Sequence, residues 1–452
     1  MTPGVAHVAL LQSEIHERDP ACGAEPHVSL LLCVITAGQL VASMGMQWFA
    51  IASLGADIQT DALVAGMTLP LLCITIGVES FTFAVTPMLA IQPESVRSSH
   101  GWQLLILVGI VSAVVIITLA LAAPLLLPFL VPGFGTEVRA LTITLTRIQL
   151  GTVVGAGWYA VLAGLCQVRG RFLRAPLAAL VCMGGAWAIL AWRLPHDGVL
   201  LAAWMQVVAY VGPTLLLLPQ AGWPAVSRWR PSELWQLWHQ LRPVFLTASY
   251  CRSGFVVDRC LASFVGPGSL AILDLGQRVQ GAAARVMNEA LVTPTVPMLA
   301  RIAATHQWDR LKAVYRHQRW RIAVVAIGVA AAIVIVSAAA PQWLARIALS
   351  PPIADTIRRL VPVLGCLSGI AATASLSHSL TTAFYAMGDT VTPSKVGAAM
   401  YTVALAAKGV GAILGGLQGI ALAITLSHVC NWLALEYAWA RACTPLPLRQ
   451  SA

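Results

Sequence analysis

The chain has 452 residues, of which 58% are hydrophobic and only 10% are charged, and its formal net charge is +10. A soluble protein of this length would carry roughly 25% charged residues. Long apolar stretches recur from His27 to Ala442, and each could cross a hydrocarbon core about 30 Å thick. This composition excludes a soluble globular protein, and a transmembrane barrel would need short alternating strands instead.

We therefore predict an all-α polytopic membrane protein with about twelve transmembrane helices, arranged as two six-helix lobes around a central cavity. In chain order, the predicted helices are 28–54, 60–92, 102–131, 136–165, 173–193, 197–219, 233–263, 268–300, 318–347, 355–386, 390–411 and 415–442. The predicted domains are an N-terminal cytoplasmic tail (1–27), an N-lobe (28–219), a cytoplasmic linker (220–232), a C-lobe (233–442) and a C-terminal cytoplasmic tail (443–452).

Basic residues concentrate in every second loop, which is the asymmetry of cytoplasmic loops in membrane proteins. It predicts that both termini are cytoplasmic, and it explains the net charge without nucleic-acid binding. The basic residues are Arg97; Arg169, Arg171 and Arg174; Arg228 and Arg230; Arg301, Arg310, Lys312, Arg316 and Arg319; Lys395; and Arg441 and Arg449.

The second predicted helix carries two acids, Asp61 and Glu79, on one face. They are 18 residues apart, which is five helical turns, and three threonines lie close to the same stripe. Pro70 interrupts this helix. The stripe favours two acids that face a cavity. The alternative is that Asp61 caps the start of its helix and Glu79 pairs with a neighbour.

The seventh predicted helix carries Arg252 and Arg259, seven residues apart and therefore on one face. Asp258 lies about a third of a turn away. These arginines are candidates for the same polar route. The alternative is an ion pair between Asp258 and an arginine that fixes helix packing.

The eighth predicted helix has four charges on one stripe: Asp274, Arg278, Arg285 and Glu289 lie at about 0°, 40°, 20° and 60° around the helix. Charged groups in a membrane-spanning helix are unfavourable when they face lipid, so they usually face a watery cavity or a partner. We predict that this helix forms the wall of a polar route.

The chain also contains an internal repeat. The segment 86–90, TPMLA, recurs at 296–300 as VPMLA, and the acids Glu79 and Glu289 have the same separation of 210 residues. Two halves arranged as repeats are a common transporter plan, with the substrate site near their interface.

Several motifs occur in the order typical of one family. They are GADIQTDA at 55–62, VPGF at 131–134, DRCLAS at 258–263 with GSL at 268–270, DLGQRV at 274–279, and FYAMGDTVTP at 384–393. On these motifs, residues 40–442 resemble the MurJ/MviN family of lipid II flippases, which is part of a wider group of multidrug and oligosaccharidyl-lipid exporters.

The resemblance implies two lobes around a cationic cavity, in a protein of the bacterial cytoplasmic membrane. Such proteins move an undecaprenyl-pyrophosphate-linked saccharide, lipid II or a related polysaccharide precursor, from the inner to the outer leaflet by alternating access. The family's cavity arginine matches Arg278, and its important acid matches Asp61. The chain departs from the family where arginines are usual, at Gln39 or Leu40, Met46 or Gln47, and Ile74 or Thr75, and it ends without the two additional C-terminal helices common in lipid II flippases.

We therefore predict that the pyrophosphate is bound by Arg278 and Arg285 with help from Arg252 or Arg259, and that four acids compete for these arginines as gating groups: Asp61, Glu79, Asp274 and Glu289. The predicted partners are the lipid-linked saccharide, membrane lipids and cell-wall or polysaccharide synthases.

The sequence contains no Gly-rich phosphate loop, paired-His metal motif or nucleophile elbow. We therefore predict a transporter rather than an enzyme, without a metal or cofactor, driven by the membrane potential or a coupled ion. The alternatives are a multidrug or metabolite exporter of the same superfamily and a membrane interaction protein that does not transport.

Overall fold

The computed structural model describes residues 26–78, 81, 89, 94–222, 249–250, 253–292, 295, 298–299, 302, 305, 307–344, 351–389 and 391–443. The principal α-helices of these ranges are α1 (Pro26–Leu54), α2 (Ile58–Gly66), α3 (Thr68–Leu72), α4 (Glu94–Leu130), α5 (Thr136–Gln149), α6 (Gly151–Val168), α7 (Arg174–Leu217), α8 (Gly254–Ser263), α9 (Ser269–Met287), α10 (Trp308–Leu344), α11 (Pro351–Leu367), α12 (Gly369–Ala386) and α13 (Val391–Cys443). Short π-helical turns follow α3 and α9 at Cys73–Val78 and Asn288–Val292, and a 3₁₀ turn, Leu218–Ala221, follows α7.

The predicted all-helical membrane fold is confirmed. Within the described ranges, nine helical segments are long and apolar enough to span a membrane. Their outer surfaces carry exposed apolar side chains, such as Leu121, Phe129 and Ile413, which suit contact with lipid rather than water.

Two of the longest helices are broken at glycines. Gly198 in α7 has φ 65° and Gly416 in α13 has φ 53°, which a side chain would strongly disfavour. Each break divides the helix into two spans. The sequence predicted a helix boundary a few residues before each glycine, between 193 and 197 and between 411 and 415. Both divisions are confirmed, although the chain passes from one span to the next with little intervening loop.

In the N-terminal half, α1 and α6 pack on α7, α2 packs on α5, and α4 packs on α6. Glycines allow this close packing. A Cβ atom added to Gly155 would lie 2.7 Å from the backbone of Tyr210, a distance that excludes any side chain at this helix crossing.

In the C-terminal half, α12 packs on α13, α10 packs on α12, and α8 packs on α13. Helix α9 lies against α11 and α12 of this half, and it also contacts α1 and α2 of the other half. It is therefore positioned at the seam between the lobes. The predicted lobe boundaries remain predictions, and most of the predicted linker at 220–232 lies outside the described residues.

One apolar cluster crosses this seam. It joins Ile51, Val64 and Val131 of the N-terminal half to Leu270 and Val363 of the C-terminal half. Because tightly packed apolar side chains leave no room for water, this cluster seals one end of the space between the lobes.

Candidate functional site

Helix α9 places the charged stripe predicted from the sequence at the seam. It begins after Gly268, whose φ of 77° lies in the left-handed region that favours glycine. Its apolar residues, among them Leu270, Leu273 and Leu275, are buried. The polar stripe that begins at Asp274 is less buried.

A hydrogen-bonded group that we call the central network joins the lobes at this stripe. It consists of Gln47, Thr68, Arg259, Asp274 and Arg278. The Asp274 carboxylate accepts hydrogen bonds from Arg259 Nη2 at 2.8 Å, Arg278 Nε at 2.7 Å and Gln47 Nε2 at 3.1 Å. Arg259 Nη1 also donates to Thr68 Oγ1 at 2.9 Å. The N-terminal half therefore contributes neutral partners, and the C-terminal half contributes the charges.

The two arginines of the central network differ in accessibility. The side chains of Arg259 and Asp274 are 5% and 12% exposed, whereas that of Arg278 is 39% exposed. Removing one member of a buried ion pair is strongly destabilising, and the Arg259–Asp274 pair is buried at both ends, whereas the Arg278–Asp274 pair is accessible from the arginine side. Arg259 is therefore fixed by its contacts, and Arg278 can exchange its carboxylate partner for another anion.

Arg278 faces the gap between the lobes, because it interacts electrostatically with Tyr210 of the N-terminal half. Arg285 lies seven residues further along α9 on the same stripe, and it is exposed. These two guanidinium groups form an accessible cationic surface beside the buried part of the central network.

Three other predicted site residues have no described side chain. Arg252 and Glu79 lie outside the described residues. The backbone of Glu289 belongs to the π-helical turn Asn288–Val292, and its side chain is not among those described. Their predicted roles remain predictions.

Asp61 lies at the sealed end of the seam, away from the arginines of α9, and only 2% of its surface is exposed. Its carboxylate accepts hydrogen bonds from the backbone N–H groups of Gly268 at 2.7 Å and Ala271 at 2.8 Å. It therefore caps the N-terminus of α9, where unsatisfied N–H groups and the helix dipole favour a negative charge. The alternative from the sequence was that Asp61 caps the start of its own helix. In the structure it caps α9, which belongs to the other lobe.

Further contacts between the lobes surround this cap. Arg359 donates a hydrogen bond across the seam to the backbone oxygen of Ala56 at 3.0 Å and another within its own half to that of Pro267 at 2.6 Å. The N–H of Gly133 donates across the seam to Ser263 Oγ at 3.2 Å. A Cβ atom on Gly133 would collide with the backbone of Ser263, and one on Gly268 would collide with the carbonyl oxygen of Ala56. We call the set Ala56, Asp61, Gly133, Ser263, Pro267, Gly268, Ala271 and Arg359 the latch.

The alternative from the sequence was an ion pair between Asp258 and an arginine; among the described side chains, the ion pair of Asp258 is with Lys408, and Arg252 lies outside the described residues. The Asp258 carboxylate lies 2.7 Å from Lys408 Nζ, while Arg259 pairs with Asp274. Lys408, Gln47 and Arg359 were not identified as site residues from the sequence. Of these three residues, Lys408 could most readily have been predicted from the sequence, because it is a single lysine in an otherwise apolar membrane segment.

Two helical lobes that are sealed at one end, with accessible cations between them, define a polytopic membrane transporter of the alternating-access type. A family model described as lipid II flippase MurJ matches residues 51–449. The chain therefore belongs to the MurJ lipid II flippase family.

Solved structures of that family and its relatives have the same fold. A lipid II flippase MurJ in an inward closed conformation is 13% identical, with a TM-score of 0.74 over 91% of this chain and 87% of the other. An inward-facing multidrug resistance MATE family transporter is 15% identical, with a TM-score of 0.74 over 91% of this chain and 98% of the other.

An outward-facing MATE family transporter, also 15% identical, has a lower TM-score of 0.59 over 91% of this chain and 94% of the other.

Proposed function

We propose that this protein moves a polyprenyl-pyrophosphate-linked saccharide, lipid II or a related polysaccharide precursor, from the inner to the outer leaflet of the bacterial cytoplasmic membrane by alternating access. The observation that carries this proposal is Arg278, an accessible guanidinium at the seam between the lobes whose ion pair with Asp274 can be reached from the arginine side. Membership of the MurJ family supports the substrate class.

The charge of the site suits a pyrophosphate. Among the described side chains of the central network and the polar stripe of α9, there are three guanidinium groups (Arg259, Arg278 and Arg285) and one carboxylate, Asp274, which leaves two positive charges. A pyrophosphate diester carries roughly two negative charges, and guanidinium groups bind phosphate oxygens in pairs without losing their charge. The headgroup would bind Arg278 and Arg285, while the polyprenyl tail stays in lipid.

The N-terminal half lacks the arginines that the family usually has there, and it offers Gln47 and Thr68 instead. These neutral groups orient Asp274 and Arg259 without adding charge. We propose that the C-terminal half holds the headgroup and that the N-terminal half closes over it.

The arrangement of the loops supports an orientation. Both termini are proposed to be cytoplasmic, because the loops on that side carry the basic residues. The short connection after α1, at residues 55–57, then lies on the outer side. The latch would therefore be the outer gate, and the gap beside Arg285 would open toward the cytoplasm, where lipid-linked precursors are made.

Drug export is the competing function, since the MATE family transporters share the fold. A site for cationic drugs would need a surplus of acids or aromatic rings, because like charges repel. The surplus of positive charge at the described seam favours an anionic headgroup instead. Cell-wall or polysaccharide synthases are proposed as the enzymes that supply and use the substrate.

The test replaces Arg278 with Ala in a strain that lacks its own lipid II flippase and depends on this protein for growth. Losing one or two charge-assisted bonds to phosphate would weaken headgroup binding by about 1.5–3 kcal/mol per bond, or roughly tenfold to more than a hundredfold per bond. We expect loss of complementation with unchanged membrane insertion. Arg278→Lys should restore only part of the activity, because lysine cannot form the paired contact.

Arg193→Ala is the matched control. Arg193 also donates from Nε to an aspartate four residues away, at 2.9 Å, and its side chain is similarly exposed, at 49%. It lies on α7 away from the seam and should complement normally. Normal growth with Arg278→Ala would refute the site. Failure of the unaltered protein to complement, together with dye resistance on overexpression, would favour drug export.

A further inference from the structure

The N-terminal half carries an exposed arginine inside a membrane-spanning segment. Arg147 belongs to α5, and its Nε donates a hydrogen bond to the backbone oxygen of Ala120 in α4 at 3.3 Å. Within the part of the chain that the structure describes, no ion pair includes this arginine, and its two terminal nitrogen atoms donate no hydrogen bond. The function proposed above does not use it.

The exposed face of α5 points away from the seam. Ala140, Thr144 and Arg147 are exposed, and they lie within about 60° of one another around the helix. Leu145 lies about 160° from Arg147 and packs on α2, where a Cβ atom added to Gly66 would lie 3.2 Å from its Cβ. Because α2 contacts α9 at the seam, the opposite face of α5 meets lipid.

The guanidinium group of Arg147 lies well inside the membrane. Arg147 is eleven residues from Thr136, the first residue of α5, and Ala120 is ten residues from Leu130, the last residue of α4. At about 1.5 Å per residue, both lie about 15 Å from these helix ends, in a hydrocarbon core about 30 Å thick. The hydrogen bond to Ala120 therefore holds the charge at this depth, whereas long basic side chains usually extend to the membrane surface.

The surroundings of this charge are apolar. Ile117 and Leu121 of α4, next to Ala120, are 60% and 75% exposed and face lipid. Hydrocarbon offers no hydrogen-bond acceptor, so unsatisfied polar groups are costly there. Charged side chains inside membranes therefore almost always pair with another group or face water. Since the described residues supply no anion for Arg147, its partner comes from another molecule.

Two features indicate a helix rather than a lipid. Lipid phosphates lie at the membrane surface, whereas a carboxylate on a transmembrane helix can lie at the depth of Arg147. Ala140 and Thr144 are small residues four positions apart, a spacing that lets another helix approach closely. A symmetric pair of copies of this chain does not fit, because a two-fold axis along the membrane normal would bring Arg147 close to the same arginine.

We propose that the surface formed by Ala120, Ala140, Thr144 and Arg147, which we call the docking face, binds a transmembrane helix of a partner protein. This helix carries an Asp or Glu at the depth of Arg147, and the two charges pair inside the membrane. The docking face lies opposite the seam side of α5, so a bound partner leaves the space between the lobes open. The inference does not depend on which substrate the protein moves.

The first test uses synthetic transmembrane helices of leucine and alanine that carry one central Glu or, as a reference, Leu in its place. Energy transfer is measured in phosphatidylcholine vesicles, from a fluorescent amino acid at Glu137 in the first turn of α5 to an acceptor on the peptide. We expect the Glu peptide to bind roughly five- to thirtyfold more tightly than the Leu peptide. Arg147→Leu should abolish this preference, and Arg147→Lys should keep part of it.

Arg193→Leu is the matched control, since Arg193 is also exposed but has its own partner, Asp197, on α7. It should keep the preference for the Glu peptide. Arg147→Leu should not lower the unfolding temperature of the protein in vesicles, because it removes an unpaired charge from a lipid-facing surface. Equal binding of the two peptides, a preference that survives Arg147→Leu, or a lower unfolding temperature with unchanged binding would overturn the proposal.

The second test identifies the partner in cells that produce the protein naturally. Thr144 is replaced by a photo-crosslinking amino acid, and the crosslinked peptides are sequenced by mass spectrometry. We expect an apolar segment of another membrane protein that contains Asp or Glu, and its loss when Arg147→Leu is added. The same crosslinker at Val114, which is 58% exposed on α4, should capture lipid alone. Capture of lipid alone from Thr144, or of a second copy of this chain, would refute an acidic partner helix.

Discussion

Asp61→Asn should open the latch. The wild-type carboxylate accepts two short hydrogen bonds from the backbone of α9, at 2.7 and 2.8 Å. A hydrogen bond to a charged group contributes about 1.5–3 kcal/mol, and a neutral one contributes about 0.5–1.5 kcal/mol. Asn keeps one acceptor oxygen, is uncharged, and directs an NH₂ group at the remaining N–H. The loss is therefore about 2–5 kcal/mol, which changes the ratio of open to closed latch by roughly 30-fold or more.

The assay is pulsed electron paramagnetic resonance between spin labels at Glu137 and Phe264, which are exposed on opposite sides of the latch. Spin-labelled amino acids are preferable to cysteine labelling, since Cys33 and Cys430 are exposed. In lipid nanodiscs, Asp61→Asn should increase the population with widely separated labels. Asp57→Asn is the matched control, because Asp57 is an acid four residues from Asp61, at the residue immediately before α2. Unchanged distances with Asp61→Asn and also with Asp61→Ala would refute the view that this carboxylate closes the lobes.

Three further predictions concern the latch and a loop outside the membrane. Gly268→Ala should open the latch in the same distance assay, because Cβ would meet the carbonyl oxygen of Ala56 and φ is 77°; a closed latch would contradict it. Arg359→Ala should open it more weakly, by about 1.5–3 kcal/mol for the lost charged hydrogen bond to the backbone oxygen of Ala56; a distance distribution identical to the wild type would refute this. Asp389→Ala should lower stability by about 1 kcal/mol, since this carboxylate accepts hydrogen bonds from the start of α13, including the N–H of Thr392 at 2.9 Å. The side-chain and backbone hydrogen bonds of Thr392 hold the pKa of Asp389 below its usual 3.8. The stability that Asp389 contributes is therefore fully present above pH 3.8 and is lost as the pH falls through the lowered pKa. A difference in thermal unfolding between wild type and Asp389→Ala that persists in stronger acid would contradict this prediction.

The sequence predicted the features that depend on residues close together in the chain. The stripe of Asp274, Arg278 and Arg285 follows from the 3.6-residue period of a helix. The interruption at Pro70 follows from its missing N–H, and α2 indeed ends at Gly66, with a turn at Met67 before α3 begins.

Contacts between distant residues were not predictable in this way. Asp61 and Gly268 are 207 residues apart, and nothing local to Asp61 indicates a cap on the other lobe. The sequence therefore grouped Asp61 with the cavity acids. Lys408 and Asp258 present the same difficulty, because a lone charge in an apolar helix indicates that a partner exists but not which one.

Both connections between the lobes involve α9, and this determines how a headgroup could drive the cycle. The latch holds the N-terminus of α9 through Asp61, and the central network holds its middle through Asp274. Moving a two-state equilibrium from 1:99 to 99:1 requires a ligand to favour one state by about 5.5 kcal/mol. Two to four charge-assisted hydrogen bonds from Arg278 and Arg285, at about 1.5–3 kcal/mol each, are of that size. They can shift the equilibrium only if the headgroup makes them in one state. The exchange of Arg278 between Asp274 and phosphate supplies that difference, because binding frees Asp274 from one of its two arginines and leaves it with Arg259 and Gln47 as partners.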